Sequence, residues 1–254
     1  MQISTTELRH MAGAVDDMHH TAMRTFGEEV ADLHVDAVNR SRRTFIKRAG
    51  QAGIGGALLT AGGGLLPLSR LSSIAAAQAK LTDTQIAGYA QSLELAAVAA
   101  YTAAAPALKG DVLAVASLFL SHHQDHADAF GAVAGDDARP EANPKVVAAV
   151  TPTLEAVAAA VEAGTDATDD VLRFAMGVEN QAAFTYAAAL TLLTDPAFSA
   201  ATATILPIEA QHATVLALAL GLGPDDWFPT GAFESAALGD GTDLQAGLDP
   251  AIFA

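Results

Sequence analysis

Three carboxylates stand where charge is least expected. Glu94 is the one charged residue between Thr84 and Leu108, and Glu179 the one between Phe174 and Thr194. Glu209 is the one between Ala197 and Leu222, with His212 taken as neutral. Their neighbours at helical spacing are small or apolar: Ala90, Ala97 and Val98 around Glu94, Ala175 and Ala182 around Glu179, Ile205 and Ala213 around Glu209. A solvated helix face scatters several charges of both signs, so these residues face an interior. There an unpaired carboxylate is costly or takes up a proton, and several together repel. A metal cation removes both penalties.

The imidazoles fit the same chemistry. Glu209-Ala210-Gln211-His212 is a Glu-x-x-His pair, whose ends share one helix face and can reach one ion. Bundles that hold two iron or manganese ions use one Glu from each of two helices and a Glu-x-x-His from each of the other two. Glu94 and Glu179 fill the lone-Glu roles, and Glu209 with His212 fills one pair. The remaining pair falls on His123-Gln124-Asp125-His126, a His-x-x-His preceded by His122. Imidazole in place of carboxylate removes a negative charge and a bridging group, and favours zinc, copper or a single iron over a symmetrical di-iron pair. The expected ligands are therefore Glu94, His123, His126, Glu179, Glu209 and His212, around one or two ions. His122 and Asp125 lie off the line of His123 and His126 and are read as non-ligands. Tyr101 and Tyr186 lie two turns from their glutamates and are read as core tyrosines donating to buried acceptors. A hydrogen-bonded polar layer without metal is the alternative for the set.

Four helices must position these residues, and the sequence repeats to make them. Tyr89 to Glu94 aligns with Phe174 to Glu179, with Tyr101 and Tyr186 each seven residues on. His126-Ala127 aligns with His212-Ala213, and each His is followed nine residues later by a glycine, Gly135 or Gly221. This is a helical hairpin used twice. Thr82-Asp83 offers N-cap chemistry for a first helix to about Leu108. A second helix runs from Val112 to about Gly135. Short helices are expected at Lys145–Val150 and Thr153–Ala163. Asp169 or Asp170 opens a third long helix to about Leu193, and Asp195-Pro196 starts a fourth ending at Gly221. Pro207 inside that helix is expected to kink it beside Glu209.

Hairpins with tight internal joints and one long crossover between helices two and three make an all-α, ferritin-like antiparallel four-helix bundle over residues 80–223. The chain resembles exported ferritin-like proteins with a twin-arginine leader and a His-His-x-x-His second helix. The resemblance rests on Glu94…Tyr101, His122-His123-Gln124-Asp125-His126, Glu179…Tyr186 and Glu209-Ala210-Gln211-His212. Such proteins are described mostly by fold, so the resemblance implies little chemistry, though it links some relatives to desiccation or stress. The cofactor expected from the ligands themselves is a metal ion, iron first, with manganese or zinc as alternatives.

Upstream, Ser41-Arg42-Arg43-Thr44-Phe45-Ile46-Lys47 resembles the twin-arginine export signal, with Arg42 and Arg43 as its paired arginines. No charge follows Arg48 until Arg70, and the interval is rich in glycine. Ala75-x-Ala77 and Ala77-x-Ala79 both fit a signal-peptidase site, so residues 41–79 read as a leader. The partner implied is the twin-arginine translocase, and the destination periplasm, cell envelope or medium. Contact with a membrane is expected only if the signal stays uncleaved. Residues 1–40 are long for the region ahead of the arginines, and a start at Met23 gives a more usual length. Residues 7–38 also fit an amphipathic helix. Its His10, Asp16, Asp17, His19, His20 and His34 are expected to leave with the leader rather than to hold metal.

Composition sets the remaining bounds. The chain has 254 residues, 51% of them apolar but 6% aromatic, so the apolar excess is largely alanine and favours packed helices over sheets. Without cysteine there is no disulfide framework and no thiolate ligand. The net charge of −16 is concentrated after Lys80, a surface that repels phosphate backbones and excludes nucleic acid as a partner. Homo-oligomers remain open, though an iron-storing cage is disfavoured. Residues 224–254, with Trp227, Phe228, Phe233 and Phe253, are expected to form an irregular tail over the bundle. The function expected is an exported metal protein with redox capacity toward oxygen or peroxide. The alternative is a non-catalytic bundle serving envelope stress tolerance or protein interaction.

Overall fold

A computed structural model describes residues 3–47 and 82–223, which form six α-helices and no strand. They are α1 (Thr5–Lys47), α2 (Asp83–Ala104), α3 (Gly110–Ala134), α4 (Pro144–Glu162), α5 (Thr168–Leu190) and α6 (Pro196–Ala219). The leader's glycine-rich interval, its cleavage sites and the C-terminal tail lie outside the described residues.

Helices α2 and α3 pack as one hairpin, α5 and α6 as the other. Local chemistry sets their ends. Thr82 and Gln85 form a capping box, each side chain accepting from the other's backbone N–H. Asp195 accepts from Ala197 N at 2.9 Å, with Pro196 in the first turn of α6. Gly135 and Gly221, nine residues beyond the paired histidines, both take positive φ, 56° and 72°. That conformation suits glycine and ends both copies at the same place. Asp83 joins the hairpins, accepting from Thr194 N at 3.0 Å and Asp195 N at 2.7 Å.

The crossover is a single helix, not the two short ones expected. Pro152 leaves the Ala148 carbonyl without its helical partner, but Ala148 is exposed and water can serve it. Asn143 caps this helix through Lys145 N and Val146 N, and its own N–H donates to Ser92 O at 2.8 Å, which ties the crossover beside Glu94. Helix α6 likewise runs through Pro207, which lies on the exposed face together with Ala203, the residue whose carbonyl it frees.

The N-terminal segment packs on the bundle. Helix α1 lies along α6 and α3. Among its described side chains the buried ones are Leu8, Ala12, Val15, His19, Ala22 and Phe26, spaced alternately by four and three. That is a heptad seam, the pattern that keeps one helix face against its neighbours. Phe26 meets Phe130 edge to face at 5.6 Å, and Arg9 pairs with Asp111 at 3.2 Å. The core lies in two main apolar clusters. One joins Leu8, Val15, Phe119, Val215 and Leu216, and the other joins Phe26, Phe130, Tyr186 and Ile205. Fully burying a side chain such as Phe119 or Ile205 contributes about 1.5–3 kcal/mol.

Candidate metal centre

All six expected ligands meet inside the bundle. His123, His126, Glu179, Glu209 and His212 are fully buried and Glu94 nearly so. Glu94 comes from α2, His123 and His126 from α3, Glu179 from α5, Glu209 and His212 from α6. They form two groups of four, Glu94–His123–His126–Glu209 and His123–Glu179–Glu209–His212. Within each, one ligand atom per residue lies within 4.8 Å of the others.

Two residues belong to both groups, in different ways. Glu209 turns one oxygen to each: Oε1 lies 2.8 Å from His126 Nδ1, and Oε2 lies 3.1 Å from His212 Nδ1. His123 stands between the lone glutamates, Nδ1 at 2.7 Å from Glu94 Oε2 and Nε2 at 3.1 Å from Glu179 Oε1. A carboxylate can bridge two ions a few ångströms apart. An imidazole presents its two nitrogens in opposite directions and cannot bridge so closely. The cluster is therefore uneven, with one carboxylate facing both groups where a symmetrical pair would have more.

The tyrosines cross between hairpins. Tyr101 on α2 donates to Glu179 on α5, and Tyr186 on α5 donates to Glu94 on α2. Burial and the neighbouring carboxylate push both hydroxyls well above their ordinary pKa, so they are neutral donors. The duplication explains the reciprocity, because each hairpin's tyrosine serves the other hairpin's glutamate.

Electrostatics ties the set together. Burial works against the Glu94 carboxylate, but the His123 and His126 imidazoles outweigh it and hold its pKa at about 2. Glu179 is held well below the usual range by His123 and His212, again against burial. Burial also opposes charge on His126, yet Glu209 and Glu94 raise it to about 9. His123 rises well above its ordinary value and His212 rises too, both through Glu179 against burial.

The donor set fits a divalent transition metal. Mixed imidazole and carboxylate ligands suit zinc, iron or manganese rather than calcium or magnesium. One part of the cluster is left unsatisfied without an ion. His126 Nδ1 and Glu209 Oε1 are 2.8 Å apart but not aligned for a hydrogen bond, and both, with His126 Nε2, lack a hydrogen-bond partner. Buried polar atoms are seldom left so, and a cation between them accounts for it.

Beside the six lies a contact that the sequence reading set aside. His122 is buried, with Nδ1 2.9 Å from His212 Nε2 and Nε2 3.2 Å from Asp16 Oδ1. It is a supporting residue that holds the far nitrogen of a ligand, as such partners do in metal sites. His19 stacks on it, with ring centroids 3.8 Å apart. Asp16 and His19 thus belong to the surroundings of the centre, though their segment was expected to leave with the leader. The heptad spacing from Leu8 to Phe26 is the sequence signal that points to this packing. Asp125 is more than half exposed and offers no ligand atom to either group of four. His20 is exposed. Arg42 and Arg43 lie near the end of α1, and their side chains are outside the described ones.

No curated protein and no solved structure matches the chain. Residues 82–222, more than half of the chain and the span that carries all six ligands, match the ferritin-like domain family, and the chain belongs to that family.

Proposed function

We propose that this protein is an exported ferritin-like metal protein with a one- or two-ion centre inside its bundle and a redox role toward oxygen or peroxide. The observation that carries the reading is Glu209, whose two oxygens face two ligand groups at once. Glu94, His126 and Glu209 would hold one ion, and Glu179, Glu209 and His212 the other, with His123 serving whichever side its nitrogen faces. Iron held here would supply electron exchange with small oxidants, with manganese and zinc as the alternatives. The protein's part is to fix the ligands, exclude water and keep the tyrosine hydroxyls protonated against the glutamates.

Export rests on Ser41–Lys47, the uncharged interval from Arg48 to Arg70 and the Ala-x-Ala sites that follow. The packing of α1 on α3 and α6 favours a form in which residues ahead of Arg42 stay with the bundle. The mass of the exported protein tests that: a species beginning near Lys80 argues against it.

One observation favours a second reading. Three glutamates face three imidazoles whose pKa values are all raised, so the cluster largely balances its own charge. Such a layer can serve a non-catalytic bundle, with a structural metal or none, in stress tolerance or protein interaction. Metal analysis of the natively produced protein separates the two. Iron or manganese at one to two ions per chain, with peroxide consumption, supports the first. A metal-free protein whose stability survives Glu179→Ala rejects it, and tightly held zinc without peroxide turnover favours the second.

A further inference from the structure

A second cluster of metal-ligating side chains lies on α1, on the solvent side of the buried centre. Asp16, His19 and His20 each offer a ligand atom, all within 4.8 Å of one another. His20 Nδ1 lies 2.9 Å from the Asp16 carbonyl and 3.2 Å from Asp16 Oδ1, so the ring is already held against the carboxylate. The same Oδ1 lies 3.2 Å from His122 Nε2. Asp125 contributes a further carboxylate, its Oδ2 3.9 Å from His19 Nε2.

His19 is the independent sign that something is bound here. It is 1% exposed, and neither ring nitrogen has a hydrogen-bond partner. It occupies a seam position between Val15 and Ala22, where an apolar residue would pack without that penalty. Stacking on His122 accounts for one face of the ring and leaves the in-plane nitrogens without partners. A ligated ion would satisfy one of them.

We propose that Asp16, His19 and His20 form an outer metal site for a divalent transition ion. Two imidazoles and a carboxylate leave room for water or for Asp125 to complete a four-coordinate shell. Imidazole donors select zinc, cobalt, nickel or copper over calcium and magnesium. The ion sits beside the stacked His19–His122 pair, and His122 in turn touches His212 of the inner centre. The site goes beyond the proposed function, because none of its three residues belongs to either inner group.

The test is a Co²⁺ titration of the full-length, metal-free chain, read by visible absorption and by ions bound per chain. The native protein is expected to bind one ion more than His20→Ala or Asp16→Asn, or to bind that ion at least about tenfold more tightly. His20 is mostly exposed, so His20→Ala leaves the fold intact. A tenfold excess of Mg²⁺ should not displace the ion. Glu209→Gln is expected to disturb the inner ions and keep the outer one, which separates failure of this site from failure of the inner reading. Equal stoichiometry and equal affinity in the native chain and His20→Ala would overturn the proposal, as would displacement by Mg²⁺.

Discussion

Loading the inner centre should release protons from its imidazoles. His123, His126 and His212 all have raised pKa values in the metal-free cluster. At pH 7 a group with a pKa of about 9, such as His126, is unprotonated in only about 1% of molecules. Ligation needs the neutral imidazole, so each ring must lose a proton when it binds. Filling both groups at pH 7 should therefore release the protons of His126 and His123, about two per chain, with a further contribution from His212, whose pKa is also raised; filling the Glu94–His123–His126–Glu209 group alone should release about two. Apparent affinity should rise by about tenfold per pH unit for each proton released, and the gain should level off above the raised values. The assay is isothermal titration of Zn²⁺ into the metal-free chain at pH 7, in two buffers of different ionisation enthalpy. The dependence of heat on buffer gives the proton count directly. Release of less than about one proton would refute the reasoning: either the imidazoles are neutral beforehand or they are not ligands.

Other consequences are simpler. Glu209→Gln should abolish or weaken both ions by at least about tenfold, whereas Glu94→Gln or Glu179→Gln should affect one more than the other, as metal content per chain will show. Tyr101→Phe or Tyr186→Phe strips a buried carboxylate of its donor and should cost about 1–3 kcal/mol in chemical denaturation of the metal-free chain. Phe26→Ala removes a buried ring from the α1 seam and should cost about 3–5 kcal/mol, with earlier proteolysis of residues 5–47. The metal-free chain should also be most stable near pH 6.5. The raised His126 contributes stability that is complete below 6.5 and lost as pH climbs through about 9. His19 and His122, lowered by burial and neighbouring imidazoles to about 2 and about 3, contribute stability present above 6.5 and lost as pH falls toward those values. A thermal-unfolding profile that rises or falls steadily from pH 5 to pH 9 contradicts this balance.

What the sequence discloses about the centre follows from the contrast between a charge and its surroundings. Glu94, Glu179 and Glu209 are each alone in a long apolar run, and duplication supplies an independent register that aligns them with His126 and His212. Two periodic signals agree, so the hairpins and the six clustered residues are legible. The crossover is less so, because Pro152 reads as a break, and only its exposed, alanine-rich setting shows that water can take the freed carbonyl. Which oxygen of Glu209 faces which group, and that each tyrosine reaches the opposite hairpin, depends on helix packing, which no spacing along one helix encodes.

Residues 7–38 fit a helix, but the packing of α1 on the bundle was obscured for a different reason. Its seam is built from two alanines, a histidine and three larger apolar residues, so its apolar contrast is weak. It also precedes an arginine pair that gives the same segment another meaning. The sequence reads His122 as a non-ligand, and it belongs to neither group of four, but its supporting contact was hidden for the same reason. His122 is one residue before His123, about 100° around the helix, and in a four-helix bundle that direction leads away from the centre. Adding α1 changes the direction from outside to inside: Asp16 and His19 cover His122, and its other nitrogen supports His212. A residue is a bystander or a support according to how many helices surround it. His122→Phe therefore makes a sharp comparison. If α1 is part of the working protein, the variant should bind metal at the inner centre at least about tenfold more weakly while keeping its helical content. If α1 is only a passing leader, the substitution should leave inner metal affinity unchanged.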